Sequence, residues 1–363
     1  MLDTPAPLLA AMAVTGACHS FDRKDREDAR YWFEAVEQLV FHDLESNLDR
    51  KISYRKTQII QAAFLACIYQ TWEGEGTARA RIRRSRFNAV VTAARDINMA
   101  SVRHNISPDF ENFDWIDFIC MEETIRTLLW VFCLDTAYVI FNNIPPHFAL
   151  RELRMGLASC EACFQASTSQ ECFAKLQDWS AHNKRPANFS LYGLIKMFFH
   201  DDLHETMLEN LAHESFMNLW CVNAAFHVVL FNLDSAVSGD EQFDRIRAGI
   251  DNWEAVWHRR LRNNDEHFFD AVVATTMLSP QCDSHIDPWK RPGFWKNAAE
   301  YWLLAQLMLE RMVSARQSAQ AARELSGMHG LHWEVDSHIN DLIEDDGMER
   351  LHFFLTSAMP ASQ

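Results

Sequence analysis

The sequence predicts an all-α protein, an irregular antiparallel multi-helix array open to division into two helical lobes. Apolar residues recur with helical period along most of its 363 residues, and no segment alternates as a half-buried strand does. Gly and Pro number only 11 and 10, which leaves little chain for long loops or low-complexity linkers. A hydrophobic content of 48 %, with 25 Phe and 12 Trp, is ample for a large core.

The apolar run 7–17 has the hydrophobicity of a signal peptide. Asp3 stands where a basic region belongs, however, and no Lys or Arg precedes Arg23, so a buried helix is expected. Trp32, Phe33, Val36, Leu39, Val40 and Leu44 then form one broad stripe, also expected to be buried. Further stripes cover 55–72, 77–97, 114–142, 188–200, 203–237, 240–262, 265–277 and 293–318. Breaks fall at Ser107-Pro108, Ile144-Pro145-Pro146, Asn183-Lys184-Arg185-Pro186, 280–293 and 327–330. The break near 183 suggests a helical core over 1–182 and a second lobe over 183–363. Apolar runs such as 128–141 are short for a membrane span and contain Asp135.

The stripe over 114–142 carries the most specific pattern. Trp115, Phe118 and Glu122 lie roughly along one helical line, Arg126 is one turn beyond Glu122, and Leu134-Asp135 precedes the stop at Pro145 and Pro146. At i, i+4 Glu122 and Arg126 can pair on their own helix. Asp135, within an apolar run, needs a buried partner, expected to be an arginine such as Arg126 or Arg95. This order of an aromatic pair, Glu, Arg, Leu-Asp, a Pro-Pro turn and a following Glu, here Glu152, resembles the fungal-specific transcription factor regulatory domain, or middle homology region.

Other segments extend the resemblance. Pro7-Leu8-Leu9 with Ala10, Ala13, Gly16 and Ala17 is similar to that family's first helix, and Ala29, Tyr31, Trp32 and Phe33 to the start of its second. Residues 61–70, followed by Gly74 or Gly76, resemble the third, and Ala93-Ala94-Arg95-Asp96 the fourth. The likeness covers residues 5–180 and implies a regulatory module rather than an enzyme. It also implies a zinc-cluster or zinc-finger DNA-binding domain near the N-terminus, which this sequence lacks, its nine cysteines being scattered. Only Cys160-x-x-Cys163, with Cys172 and His182, has ligand spacing, and packing as small hydrophobes is the favoured reading. No metal or other cofactor is expected.

Charge bears on nucleic acid directly. Asp and Glu total 50 against 34 Lys and Arg, a formal net charge of -16, and such a surface repels the phosphate backbone. Direct DNA binding by this chain is not expected. Arg79, Arg81, Arg83, Arg84 and Arg86 could form a nuclear-import or nucleic-acid patch, but a solvated, salt-bridged helix face is favoured.

Asp201, Asp202 and Glu205 spell the aspartate-rich magnesium motif of helical terpene synthases, where adjacent carboxylates bridge hard cations. The second motif would fall on Asp234, Ser238 and Gln242, and the uncharged Gln242 leaves the cluster incomplete. Glu205, Glu209 and His213 share a face like half a metal site, and Glu349-x-x-His352 is a di-iron helix motif that occurs once where a bundle needs two. No nucleophile elbow, phosphate-binding glycine loop or His-Glu-x-x-His helix occurs.

The expected function is thus an effector- or partner-sensing domain of a fungal transcription factor, acting in the nucleus on a small molecule or protein partner, with no membrane association and with homodimerisation compatible. The alternative is a regulatory scaffold turned to cytoplasmic biosynthetic catalysis or small-molecule binding, for example in secondary metabolism. An effector pocket is expected between helices of the second half, where Trp220, Phe226, His227, Phe231 and Trp253 combine large apolar faces with one titratable donor.

Overall fold

The computed structural model describes residues 4–47, 54–105, 109–184, 189–200, 203–234, 241–263 and 297–326. Among these every regular element is helical and no strand occurs, so the all-α prediction holds. The predicted helix over 265–277, the breaks at Ser107-Pro108, 280–293 and 327–330, and the Glu349 motif lie outside the described residues. The chain forms two compact units: Met1–Asp135, His147–Asp178 and Pro186–Tyr192 in the first, Thr136–Pro146, Trp179–Arg185 and Gly193–Gln363 in the second.

In the first unit α1 (Ala6–Cys18), α2 (Arg23–Ser46) and α3 (Tyr54–Trp72) pack as a trio. Asp22 caps α2, accepting the Lys24 N–H at 2.8 Å. The buried face of α2 runs through Phe33, Val36, Val40 and Leu44, steps of three or four residues that keep one line on a helix. Trp32 and Leu39 each precede a member of that line by one residue, about 100° around the helix, and are 62 % and 45 % exposed. The broad stripe expected from the sequence is therefore narrower in the structure. Correspondingly, α1 buries Leu8, Ala11 and Val14 but exposes Leu9 and Met12, so it is a one-sided helix rather than a fully buried one.

The stripe over 77–97 divides into α4 (Gly76–Arg81), a π-helical turn (Ile82–Arg86) and α5 (Phe87–Asp96), which ends at Asn98 with φ 58°. Next comes α6 (Trp115–Asn142), continuous as predicted. Asn143, at φ 49°, ends it in the left-handed region that Asn tolerates, and the Ile144 N–H closes back on the Tyr138 carbonyl at 3.3 Å just before Pro145 and Pro146. Short α7 (Glu161–Phe164) and α8 (Ser169–His182) follow.

After α9 (Leu191–Phe198), the second unit contains α10 (Glu205–Ala212), α11 (Phe216–Asp234), α12 (Glu241–Asn263) and α13 (Ala298–Ser326). The predicted stripe over 203–237 is broken between α10 and α11, because the Ser215 hydroxyl accepts the Asn218 N–H at 3.3 Å and starts a new helix. There α11 packs on α12 and α13, and α10 on α12. Gly249 lets α12 pass close to Phe199, whose ring a Cβ there would approach to 3.0 Å and push aside by a few tenths of an ångström. Helices 115–142 and 216–233 are long and apolar enough to cross a membrane, which the shorter 128–141 run had not suggested. Their most apolar windows are 72 % and 83 % buried inside the protein.

Candidate functional site

Three carboxylates in the first unit, Glu37, Glu122 and Asp135, are wholly buried, and the first two gather partners from several elements. Glu37 on α2 receives Arg81 at both oxygens, 2.8 and 2.7 Å, together with Arg86 at 3.2 Å and the Gln70 amide at 2.8 Å. Arg81 and Arg86 are five residues apart, a separation that an α-helix would point in different directions. The π turn between them, closed by the Phe87 N–H on the Ile82 carbonyl, brings both to the same carboxylate. Arg86 also lies 4.6 Å over the Phe41 ring and pairs with Glu45. The arginine run thus includes a salt-bridged face, with Arg79 held by the Gly74 carbonyl.

Glu122 is the centre of the second cluster. It accepts from Arg126 Nε at 2.7 Å, from the Ser159 N–H at 3.0 and 3.1 Å, and shares a 2.6 Å hydrogen bond with His104 Nε2. Burial alone would raise its pKa, but the His104 bond and the Arg126 charge outweigh it and hold the carboxyl at about 2. Arg126 continues to Glu161 at 3.1 Å and to the Ser159 carbonyl at 3.1 Å, and its guanidinium lies 4.1 Å from the Phe164 ring centre. Phe118 stacks on His104 at 4.7 Å, and Trp115 hydrogen-bonds Cys172. The spaced residues of α6 therefore assemble one clamp on the segment around Ser159.

Asp135 does not find the expected arginine. It accepts the backbone N–H groups of His147 and Phe148 at 3.0 and 2.9 Å and bonds His147 Nδ1 at 2.8 Å. An aspartate aimed at the exit of a Pro-Pro loop can satisfy its charge on local backbone donors, so no arginine is needed. Arg95 instead binds Glu152 at 2.7 Å and the His147 carbonyl at 2.6 Å. The aspartate, Pro145, Pro146 and Glu152 thus serve one loop.

Of the residues expected to line an effector pocket, Trp220, Phe226, His227 and Trp253 are buried and Phe231 is half-buried. They belong to different packing groups. Trp220 meets Tyr301 of α13 at 4.7 Å, and His227 Nε2 bonds the Tyr301 carbonyl at 3.1 Å. Phe226 instead meets Phe199 at 5.6 Å, while Trp253 stacks on Trp257 at 5.0 Å and donates to the Leu219 carbonyl. Burial pushes the His227 pKa down to about 4, offset only in part by the Tyr301 bond. One turn before it, Asn223 donates to the Ala298 carbonyl at 2.7 Å. Asn223 Oδ1 and His227 Nδ1 are buried without a hydrogen-bond partner.

Asp201, Asp202 and Ser238 lie outside the described residues. Glu205 is taken by Arg259, at 2.7 and 2.8 Å. Among the described residues no three His, Cys, Asp or Glu lie close enough together to share a metal ion. An open groove of about 370 Å³ in the first unit, marked by no sequence pattern, is lined by residues including Ala13, Ala17, Trp32 and Val36 and flanked by Asp25 and Asp28. Glu37, His104, His147 and Glu161 carry no sequence motif either; for Glu37 the arginine run is the available signal, since five cations in eight residues need a carboxylate.

The chain is 39 % identical over 325 residues to Transcription factor verF of Penicillium polonicum, an alignment that covers 86 % of the chain and 44 % of that protein. It therefore spans less than half the length of this curated relative. No family model matches the chain, and no solved structure does.

Proposed function

We propose that this chain is the regulatory, effector- or partner-sensing part of a fungal transcription factor and acts in the nucleus without itself reading DNA. The observation that carries the reading is the 39 % identity to a transcription factor along 86 % of the chain. The α6 clamp and the loop held by Asp135 support it, because the residues of the regulatory-domain pattern are the ones whose charges and turns organise the first unit. A net charge of -16 argues against independent binding to a polyanion. In this reading the effector enters among Trp220, His227 and Phe231, where two buried polar atoms without partners offer one acceptor and one ring nitrogen to a polar group on an otherwise apolar molecule.

Titration of the purified chain with duplex DNA at physiological salt tests the first half. Binding no tighter than the non-specific range, roughly 10⁻⁴ to 10⁻⁶ M, is expected. Sequence-specific binding below about 1 μM would overturn it. Incubation with candidate biosynthetic intermediates tests the second half: no turnover is expected, and sustained turnover would replace regulation with the repurposed-scaffold alternative.

A further inference from the structure

Cys160 and Cys163 bracket α7 in the first unit, and their sulfurs stand 3.2 Å apart. The Cys163 N–H donates to the Cys160 carbonyl at 3.1 Å, so the two residues end a single tight turn, within the Cα separation that a disulfide spans. Cys160 is half-buried and Cys163 buried, so Cys160 is the more accessible residue of the pair. The neighbours of Cys160 are the clamp itself: Ser159 donates to Glu122 and accepts from Arg126, and Glu161 pairs with Arg126. No third metal-ligating side chain joins the pair closely enough to make a metal site among the described residues.

We propose that Cys160 and Cys163 are a modification site, a dithiol that a hydroperoxide converts reversibly into an intrachain disulfide beside the Glu122–Arg126 clamp. In the first step the Cys160 thiolate attacks one peroxide oxygen and the O–O bond breaks, leaving a sulfenic acid on Cys160 and an alkoxide or hydroxide that takes up a proton. Next the Cys163 sulfur attacks the Cys160 sulfur, the S–S bond forms, and the hydroxyl leaves with the Cys163 proton as water. Each sulfur gives up one electron, and the peroxide accepts both. A small dithiol reverses the change by exchange. Cys160 is the less buried of the two and so takes the attacking role, with Cys163, whose thiol pKa is raised by its hydrogen bond with Cys160 and by burial, the resolving one.

The test treats the full, reduced chain with a small excess of hydrogen peroxide, quenches it, and counts alkylatable thiols in denaturant by mass spectrometry. The sequence has nine cysteines. The count is expected to fall by two, with Cys160 and Cys163 recovered in one internally bridged peptide, and dithiothreitol is expected to restore it. The Cys163→Ser variant should stop at a dimedone-reactive sulfenic acid on Cys160. Peptide mapping of the unmodified chain needs no variant, so the proposal stays testable if Cys163→Ser does not fold. Three results would each overturn it: both thiols still alkylatable after other cysteines have oxidised, bridging of Cys160 to a second chain, or one equivalent of zinc protecting the pair.

Discussion

In the first unit the buried carboxylates Glu37 and Glu122 each draw donors from three residues, those of Glu37 all helical and those of Glu122 including His104 and Ser159 from irregular segments. Buried and half-buried donors of the second unit end mostly on backbone carbonyls: Trp253 on Leu219, Asn223 on Ala298, Trp302 on Ile250 and Trp179 on His213. The two units therefore differ in where they can give. A buried charge tolerates no loss of partner, whereas an indole bonded to a carbonyl within an aromatic packing group leaves room for small helix shifts. That contrast suits a rigid frame in the first unit and a sensing surface in the second, as proposed above.

The largest expected effect comes from breaking the frame. Replacing Glu122 with Gln leaves Arg126 with Glu161 as its remaining charged partner, and loss of one partner of a buried pair costs up to about 3–5 kcal/mol. Urea unfolding measures this; a change under about 1 kcal/mol, of the size of an exposed pair, would mean the clamp contributes little.

Acid titration separates the units by their windows. His227, at about 4 in the fold against 6.5 ordinarily, binds its proton more readily when unfolded. Stability is therefore full above pH 6.5 and falls as pH drops from 6.5 toward 4, by on the order of 3 kcal/mol. Glu122, held at about 2 against 4.5, contributes stability that is present above pH 4.5 and lost as pH falls from 4.5 to 2. His227→Gln should flatten the upper window alone and Glu122→Gln the lower one alone. A single shared window would erase the distinction between the units.

The loop after α6 offers a smaller break. Asp135→Asn retains only one acceptor oxygen for His147 and Phe148 and should cost about 1–3 kcal/mol while exposing the Pro145-Pro146 loop to proteases. Unchanged melting and unchanged proteolysis would show that His147 is held by other means. Smallest of all, Tyr31→Ser on the exposed face of α2 should change stability by no more than about 0.5 kcal/mol. A larger loss would place Tyr31 in a packed face.

The Glu122–Arg126 pair was legible in the sequence because i, i+4 spacing fixes it locally, and the continuous α6 was legible because its apolar run ends at two prolines. Tertiary partners were not. Nothing in the spacing says that Glu37 will meet Arg81 and Arg86, since the π turn that aligns them has no sequence signature of its own. His104 and His147 lie in irregular segments without periodicity, so the carboxylates they bind could be guessed only as needing some partner. Trp32 and Leu39 mislead for a different reason: large apolar side chains also occur on exposed faces, and hydrophobicity alone does not choose between adjacent lines on one helix. The break at Ser215 was hidden because apolar residues continue on both sides of it.

Sensing by this chain is read most simply in a reporter assay with the chain fused to a heterologous DNA-binding domain in a fungal host, across a panel of metabolites. At least one metabolite is expected to change reporter output, and Phe231→Ala and His227→Gln to reduce the change at least severalfold while the purified variants still melt cooperatively at neutral pH. Output that stays flat across the panel and across partner co-expression, from a folded fusion shown to occupy its DNA site, would contradict it.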